Sequence, residues 1–207
     1  MPRVDLTVPF AERDAVRLLG ARWDHDARVW FVPASSDPSP FARWLPRIAQ
    51  PNIRASGYWI ARSSRGCWQC HRTSAVFGFA LPRTYQTLWL GERRWEQVWE
   101  DGEEPTFVCY LEYVLPDAIE RIRRHSIHYR FGYRRRTQSF YWVNFCEHCG
   151  AKLGDYDTFC EPGQAFVPLT REDATRVELV AVDARFLATA GGWSLGGDLF
   201  DYMTVRR

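Results

Sequence analysis

The sequence predicts an α+β protein in which a small β–α–β module precedes a larger, strand-rich domain. Near the N-terminus, apolar residues first alternate with polar ones and then change to helical spacing. Four prolines and several serines follow in the segment 34–55, which we interpret as a linker. From residue 58 onwards, short aromatic and β-branched runs are separated by turn-forming residues, which is typical of strands. The predicted organisation is a module at 1–33, a linker at 34–55 and a strand-rich domain at 56–207.

The N-terminal module is predicted from two changes in hydrophobic spacing. Residues 4–8 alternate with the period of a half-buried strand, and the apolar residues of 15–19 follow helical spacing. Gly20 comes directly after this apolar face and is suited to end a helix. We interpret 23–26 as a turn and 29–32 as a second strand, which completes the module.

The larger domain is predicted to consist mainly of strands. One helix is expected at 116–124, because proline is accepted at the first helical position. A short helix around 41–48 interrupts the linker, and the glycine-rich tail 190–198 is predicted as a loop. The predicted strands are 58–61, 75–80, 87–90, 106–114, 139–145, 165–168 and 176–182.

The composition excludes several classes of protein. Hydrophobic residues make up 46% of the chain and charged residues 25%, so the chain is neither disordered nor collagen-like. The longest apolar run, 75–81, has about seven residues, whereas a membrane-spanning helix needs roughly 20. The first residues carry no apolar signal region. We therefore expect a cytoplasmic protein without a membrane partner.

The N-terminal module resembles a known small domain. The residues that carry the resemblance are Leu6-x-Val8-Pro9-Phe10-x-Glu12-Arg13-Asp14, Leu19-Gly20-Ala21-Arg22-Trp23-Asp24 and Trp30-Phe31-Val32-Pro33. The module is similar to an uncharacterised domain attached to plasmid and conjugative primases, and similar stretches begin some helicase-like proteins. The resemblance implies an association with DNA-processing proteins and supplies no catalytic residue. The alternative is that the motif only builds a small fold, with Trp23 and Trp30 as its core.

Four of the six cysteines form two Cys-x-x-Cys pairs, Cys67 with Cys70 and Cys146 with Cys149. Such a pair points two thiolates at one ion, and two pairs complete a tetrahedral Cys₄ zinc shell. We predict a structural Zn²⁺ ion held by these four residues. The second pair, followed by Gly150, is similar to a knuckle of bacterial zinc ribbons. The alternatives are a redox pair, which needs only one such motif, and four unrelated core thiols.

The spacing between the two cysteine pairs is unusual for a zinc ribbon. The two pairs are separated by 75 residues, whereas ribbons use roughly 15–20. A loop about fourfold longer adds on the order of 1 kcal/mol of closure entropy. Structural zinc contributes roughly 10–16 kcal/mol in small fingers, which outweighs this cost. The spacing therefore predicts an inserted subdomain between the knuckles.

The sequence does not define a catalytic site. Cys109 and Cys160 have no partner at ligand spacing and are predicted to be structural. The run 192–196 matches G-x-S-x-G, but no histidine follows Ser194, as the hydrolase order requires. Four thiolates form a closed shell that leaves zinc no open position for water, which indicates a structural ion. The sequence therefore favours a non-enzymatic protein.

The stretch 121–136 carries seven arginines, two histidines and no acidic residue. Arginine supplies phosphate contacts and aromatic rings supply stacking platforms, so we predict binding of DNA or RNA here. Two alternatives stay open: the rings face the core of an amphipathic strand, or the arginines offset the formal charge of about −2 of a Cys₄ zinc site. The predicted nucleic-acid-binding residues are Arg121, Arg123, Arg124, Tyr129, Arg130, Tyr133, Arg134, Arg135 and Arg136.

Together these features predict a zinc-stabilised, nucleic-acid-binding accessory protein of a DNA-processing or mobile-element system. The first alternative is an adaptor whose zinc domain docks another protein. Exposed side chains at Trp89, Trp95 and Trp99, beside the acidic run 100–104, would favour the adaptor, because acidic surface repels DNA. The second alternative is an enzyme with a site that the sequence does not reveal.

Overall fold

The computed structural model describes residues 3–45, 51–90, 97–195, 197 and 199–206. Within these ranges the chain is a strand-rich α+β protein with few helices, as the sequence predicts. The helices are α1 (Arg13–Leu18), α2 (Pro116–His125) and α3 (Arg171–Thr175). Short 3₁₀ segments lie at Phe10–Glu12, Ser39–Trp44 and Phe200–Tyr202, and a π-helical turn lies at Tyr156–Cys160. None of the helices in the described ranges is long and apolar enough to cross a membrane.

The strands form two separate sheets. The smaller sheet contains β1 (Val4–Leu6), β2 (Arg22–Asp24) and β3 (Val29–Val32). The larger sheet contains β4 (Ile53–Ala55), β5 (Tyr58–Gly66), β6 (Thr73–Leu81), β7 (Gln86–Leu90), β8 (Gln97–Asp101), β9 (Thr106–Val114), β10 (Tyr129–Arg134), β11 (Ser139–Phe145), β12 (Lys152–Leu153), β13 (Glu178–Val182), β14 (Phe186–Leu195) and β15 (Thr204–Arg206).

The N-terminal module has one strand more than the sequence predicts. Its antiparallel sheet has the order β1–β3–β2, and β2 occupies part of the segment 23–26 that we interpreted as a turn. The turn follows directly after β2. It is stabilised by the Asp24 carboxylate, which accepts hydrogen bonds from the N–H groups of Asp26 and Ala27 at 3.0 and 2.9 Å. The three residues of β2 do not alternate between buried and exposed, because Arg22 and Trp23 are exposed and Asp24 is half-buried, so β2 has no periodic signal.

The core of the N-terminal module is not built from its two tryptophans. Trp23 is 40% exposed and Trp30 is half-buried. The buried core is instead formed by residues in or next to the strands, α1 and the 3₁₀ segment, namely Val4, Leu6, Val16, Ala21, Val32, Phe41 and Trp44. Trp23 and Trp30 therefore border this core and keep part of their rings accessible.

The predicted linker 34–55 contains ordered structure. The 3₁₀ segment Ser39–Trp44 begins earlier than the helix expected around 41–48, of which residues 46–48 lie outside the described ranges. The Thr7 N–H donates to the Trp44 carbonyl at 2.8 Å, and the Phe131 N–H donates to the Ser39 hydroxyl at 2.8 Å. This segment therefore contacts both the N-terminal module and the larger sheet.

The larger sheet separates two hydrophobic cores. Its main path is β15–β13–β5–β6–β9–β14–β4–β7–β8, and β10, β11 and β12 branch from β9. Successive side chains of a strand point to opposite faces. Phe79 and Val108 therefore join the core beneath α2, whereas Ala80 and Phe107 join the core on the opposite face. Because both faces of β6 and β9 are covered, these strands are almost continuously apolar.

A bulge explains why the glycine-rich tail forms a strand rather than the predicted loop. The β9–β14 register shifts between Thr189 and Ala190, and Tyr110 adopts a positive φ of 51°. A Cβ at Gly191 would approach the Tyr110 Cβ to 3.0 Å, so glycine allows this close pairing.

The Tyr110 N–H donates to buried Asp155 at 2.6 Å. Burial raises the pKa of Asp155 to about 7, although this hydrogen bond acts in the opposite direction.

The segment 165–168, predicted as a strand, is irregular in the structure. Phe166 is buried because its ring stacks on Phe159 with the ring centroids 4.9 Å apart. Its N–H donates to the Thr158 carbonyl at 3.2 Å, within the same local segment. The apolar character of 165–168 therefore comes from aromatic packing and not from strand pairing.

Candidate metal centre and basic groove

The two cysteine pairs occupy equivalent positions at the tips of two β-hairpins. The hairpin β5–β6 is closed by the pair Gly66 and Thr73, and the hairpin β11–β12 by Phe145 and Lys152. Each closing pair encloses a six-residue tip, 67–72 or 146–151, with cysteines at its first and fourth positions. The same local geometry is therefore formed twice in the chain.

The backbone hydrogen bonds of the two tips also match. In each tip, the N–H of the first cysteine donates to the carbonyl of the sixth residue, at 2.9 and 2.8 Å. The N–H of the fifth residue donates to the carbonyl of the first cysteine at 2.9 Å in both tips. The fifth residue has a positive φ in each case, 58° at His71 and 72° at Gly150. Gly150 adopts this conformation without strain, whereas His71 adopts it without the freedom of glycine.

The four thiols converge on one point. The four Sγ atoms all lie within 4.8 Å of one another. The Sγ atoms of Cys67 and Cys149 are 3.6 Å apart, and those of Cys70 and Cys146 are 3.7 Å apart. A tetrahedral ion with zinc–sulfur bonds of about 2.3 Å places neighbouring sulfurs about 3.8 Å apart. The cluster could therefore hold a metal such as zinc without rearrangement of the hairpins.

The groups around Cys67, Cys146 and Cys149 shift the pKa values of these thiols in opposite directions. The N–H groups of Cys70 and Gln69 lower the pKa of Cys67. Burial by itself raises the pKa of Cys146, but the N–H groups of Cys149 and His148 outweigh it and bring the pKa to about 6. For Cys149 the Ala151 N–H lowers the pKa, yet burial and the neighbouring thiols raise it to about 12. A divalent cation among the sulfurs would offset this repulsion.

Hydrogen bonds between the two tips fix their relative position. The Trp68 indole N–H donates to the Lys152 carbonyl at 3.0 Å, and the Glu147 N–H donates to the Ser74 hydroxyl at 3.1 Å. The His148 ring nitrogen lies 2.8 Å from the Thr73 carbonyl oxygen. His148 therefore orients one tip on the other, outside the ring of four sulfurs.

The basic stretch divides into three parts: the end of α2, the strand β10 and the turn that follows β10. In α2, Ile119 and Ile122 are buried, while Arg121 and Arg124 are exposed and Arg123 is half-buried. Arginines in the last turn of a helix complement its dipole. Arg123 and Arg124 lie beside an open groove of about 580 Å³ that extends towards the cysteine cluster at Glu147.

The strand β10 turns its aromatic residues inwards. Tyr129 and Phe131 are buried, and Tyr133 is half-buried against Phe140, with the ring centroids 5.1 Å apart. Tyr129 stacks on Trp142, and burial raises its pKa well above the usual range. This outcome matches the core-facing alternative. Tyr129, predicted as a stacking platform, is thus inaccessible to a base.

The arginines of β10 lie over rings on the opposite side of the strand. The guanidinium carbon of Arg130 is 4.0 Å from the centroid of Phe145, and that of Arg134 is 4.3 Å from the centroid of Tyr110. Arg135 and Arg136 are exposed in the turn after β10. The seven arginines are therefore not equivalent: those of β10 are partly occupied, whereas those of α2 and the turn face outwards.

Sequence reasoning missed half of the basic groove. Its further arginines, outside the stretch 121–136, are Arg62 on β5 and Arg206 on β15. Glu178 on β13 accepts from both Arg62 and Arg206, at 3.3 and 2.9 Å. These residues come from elements far apart in the chain, so only the pairing of β5, β13 and β15 brings them together.

The tryptophans that would favour an adaptor have mixed environments. Trp89 is 51% exposed and contacts Trp193, with the ring centroids 6.3 Å apart. Trp99 is half-buried beneath Arg54, whose guanidinium carbon is 4.1 Å from the ring centroid. Trp95 lies outside the described residues. Trp89 and Trp99, the two of these tryptophans that the structure describes, do not form a continuous surface.

Comparisons with known proteins identify the N-terminal module. Residues 3–46 match a domain of unknown function, DUF5710. Two curated proteins, each described as DNA primase TraC from Escherichia coli, also align with the chain. One is 60% identical over 53 residues and the other is 41% identical over 61 residues. No solved structure matches the chain.

The matches cover only a small part of each protein. They extend over 26% and 25% of this chain, and over 5% and 4% of the primases. The chain thus spans about one twentieth or less of the length of the curated relatives it matches. The resemblance to a primase-associated module is confirmed, and the matched domain reaches beyond residue 33 to include the 3₁₀ segment whose Phe41 and Trp44 complete its core.

Proposed function

We propose that this chain is a zinc-stabilised, nucleic-acid-binding accessory protein of a DNA-processing system. The zinc is structural and is held by Cys67, Cys70, Cys146 and Cys149 in the manner of a zinc ribbon with a long insertion. The nucleic acid is held by its phosphates in the basic groove at the end of α2. The names of the relatives that share the N-terminal module, DNA primases, support the association with DNA processing.

The observation that carries the proposal is the charge of the basic groove. Four arginines line it with two carboxylates, and one carboxylate, Glu178, is already paired with Arg62 and Arg206. Within the described residues, neither Arg123 nor Arg124 takes part in an ion pair. Their guanidinium groups are suited to phosphate oxygens, which accept from the planar arrangement of N–H donors.

The groove is also adjacent to the metal centre. Glu147, which lies between the two cysteines of the second pair, lines the groove and accepts from the Ala75 N–H at 3.1 Å. Metal binding would therefore hold one wall of the groove in place. This arrangement supports a structural ion that maintains a binding surface and does not perform chemistry itself.

The proposal is tested by measuring the salt dependence of binding. Fluorescence anisotropy with labelled single-stranded and duplex DNA, and with RNA, gives the dissociation constant at roughly 50 and 200 mM salt. The double variant Arg123→Ala/Arg124→Ala should weaken binding and flatten the log–log slope on single strands by about 1.4, which is about 0.7 for each lost phosphate contact. The matched control is Arg171→Ala/Arg185→Ala, which removes the same charge from two exposed positions outside the groove.

Three outcomes would contradict the proposal or a part of it. If the groove variant and its control change the slope equally, only net charge matters and the groove is wrong. If instead Arg135→Ala/Arg136→Ala has the larger effect, the binding surface lies at the turn after β10. Should the unmodified protein bind no nucleic acid in a salt-sensitive way at micromolar concentration, nucleic-acid binding is wrong and the protein adaptor replaces it.

A further inference from the structure

A second groove, also of about 580 Å³, lies in the N-terminal module and combines aromatic rings with arginines. Its aromatic residues are Phe10, Trp23 and Trp30, and its charged residues are Arg13 and Arg28. No carboxylate is among the described residues that line it. This composition differs from that of the basic groove beside α2, which is lined mainly by charged groups.

The sheet register explains why the two indole rings meet. Trp23 on β2 and Trp30 on β3 are directly paired across the antiparallel strands, so their side chains lie on one face. Their rings contact edge to face with the centroids 5.6 Å apart. Phe41 and Trp44 fill the core of the module, and the exposed part of Trp23 remains at the surface. The module therefore presents a rigid aromatic platform.

Two acidic residues that adjoin the platform in sequence, Asp24 and Glu12, accept hydrogen bonds from other groups. Asp24 accepts from the guanidinium group of Arg3 and from the amides of its own turn. Glu12 accepts from the Trp44 indole N–H at 2.6 Å on the other side of the module. Arg13 lies with its guanidinium carbon 4.1 Å from the centroid of Phe10. The described residues that line the groove thus offer π faces together with two arginine side chains.

We infer that this aromatic groove binds unpaired bases of a nucleic-acid strand. A base stacks on the exposed face of Trp23, and Arg13 and Arg28 contact the phosphates on either side of it. Stacking on aromatic side chains tolerates every base, while arginine follows the backbone, so the groove takes single strands irrespective of sequence. The inference rests on the proposed nucleic-acid binding and adds single-strand recognition at a separate place in the chain.

The test separates stacking from phosphate binding. The full chain is titrated with labelled oligo(dT) and with an abasic oligomer of the same length and charge. The unmodified protein should bind oligo(dT) about fivefold or more tightly than the abasic oligomer, because one stacked base contributes to affinity on this scale. Trp23→Ala should remove this preference without changing the affinity for the abasic oligomer. Trp23→Leu, which keeps apolar volume and loses the large π face, serves if Trp23→Ala folds poorly, with circular dichroism and thermal unfolding of the full chain as the measures of folding.

The arginines are tested in the same assay. Arg13→Ala/Arg28→Ala should weaken the binding of both oligomers, whereas Arg17→Ala/Arg22→Ala, which removes equal charge outside the groove, should weaken it less. Equal affinity of the unmodified protein for the two oligomers would overturn the inference and leave phosphate binding by the basic groove intact. A full preference for bases in Trp23→Leu would overturn it as well. A proline-rich peptide that binds at Trp23, with no base preference, would assign the groove to a protein partner instead. Absence of binding to either oligomer would overturn the proposed function and this inference together.

Discussion

Replacing Cys149 with serine should remove the metal and destabilise the larger domain. Cys149 is the exposed member of the cluster, so its substitution disturbs little core packing. The other three thiols lie within 4.8 Å of its sulfur, and a serine hydroxyl is a far weaker zinc ligand than a thiolate. The effect of Cys149→Ser therefore reports on the metal and not on a cavity.

The magnitude follows from the coupling of metal binding to folding. The two cysteine pairs are separated by 75 residues, so the unfolded chain does not hold the four thiols together and the metal binds the folded chain. A ligand of the folded state at about 1,000 times its dissociation constant stabilises that state by about 4 kcal/mol. For a protein of this size, 1 kcal/mol changes the Tm by roughly 2–4 °C. We therefore expect Cys149→Ser to lower the Tm by about 8–16 °C.

Metal analysis and thermal unfolding of the purified proteins provide the measurement. The unmodified protein should contain about one zinc ion per chain, and chelation should lower its Tm by a similar amount. Cys160→Ser, which alters a half-buried thiol outside the cluster, should retain both zinc and most of the stability. Full zinc content in Cys149→Ser, or an unchanged Tm on chelation, would refute the reasoning.

Two further predictions concern the core of the larger sheet. Because burial raises the pKa of Asp155 to about 7, the folded protein holds a proton that the unfolded chain releases near pH 4, so stability should fall as the pH rises from 4 to 7. Asp155→Asn keeps an acceptor for the Tyr110 N–H, and it should reduce this loss of stability by on the order of 4 kcal/mol, measured by urea unfolding at both pH values. A steeper loss of stability in the variant would contradict the prediction. Gly78→Ala would place a Cβ 2.6 Å from the buried Phe159 ring and should cost roughly 1–3 kcal/mol. Gly66→Ala, with nothing within 4 Å, should be nearly neutral, and equal costs in urea unfolding would disprove the packing argument.

The elements best predicted from the sequence are those with long local patterns. The bounds of β9 and β11 agree with the predicted strands 106–114 and 139–145, and α2 is one residue longer than expected. These segments keep one apolar pattern, continuous in the strands and helical in α2, over seven or more residues, so the signal exceeds local noise. The proximity of the two cysteine motifs could also be predicted from the sequence, because a tetrahedral zinc site needs four thiolates around one ion.

The elements that were missed depend on contacts distant in sequence. The strand β14 contains adjacent glycines, which are typical of a loop. Glycine is needed there because of the irregular pairing with Tyr110, which lies on another strand. The groove beside α2 depends on Arg62 and Arg206, which approach only through the pairing of three strands. The exposure of Trp23 follows from the way Trp44 fills the core, which no local pattern encodes.

The duplicated hairpin tips have a consequence for the order of events during synthesis. The first tip, 67–72, leaves the ribosome as a two-thiol fragment, and the second tip appears only after a further 75 residues have been made. At about 5–20 residues per second, this interval is roughly 4–15 s. During that time Cys67 and Cys70 have no second pair to complete a shell and are open to oxidation or to a competing ion. The site is thus assembled late, and correct metal loading depends on the reducing state and the zinc supply that the nascent chain meets in those seconds.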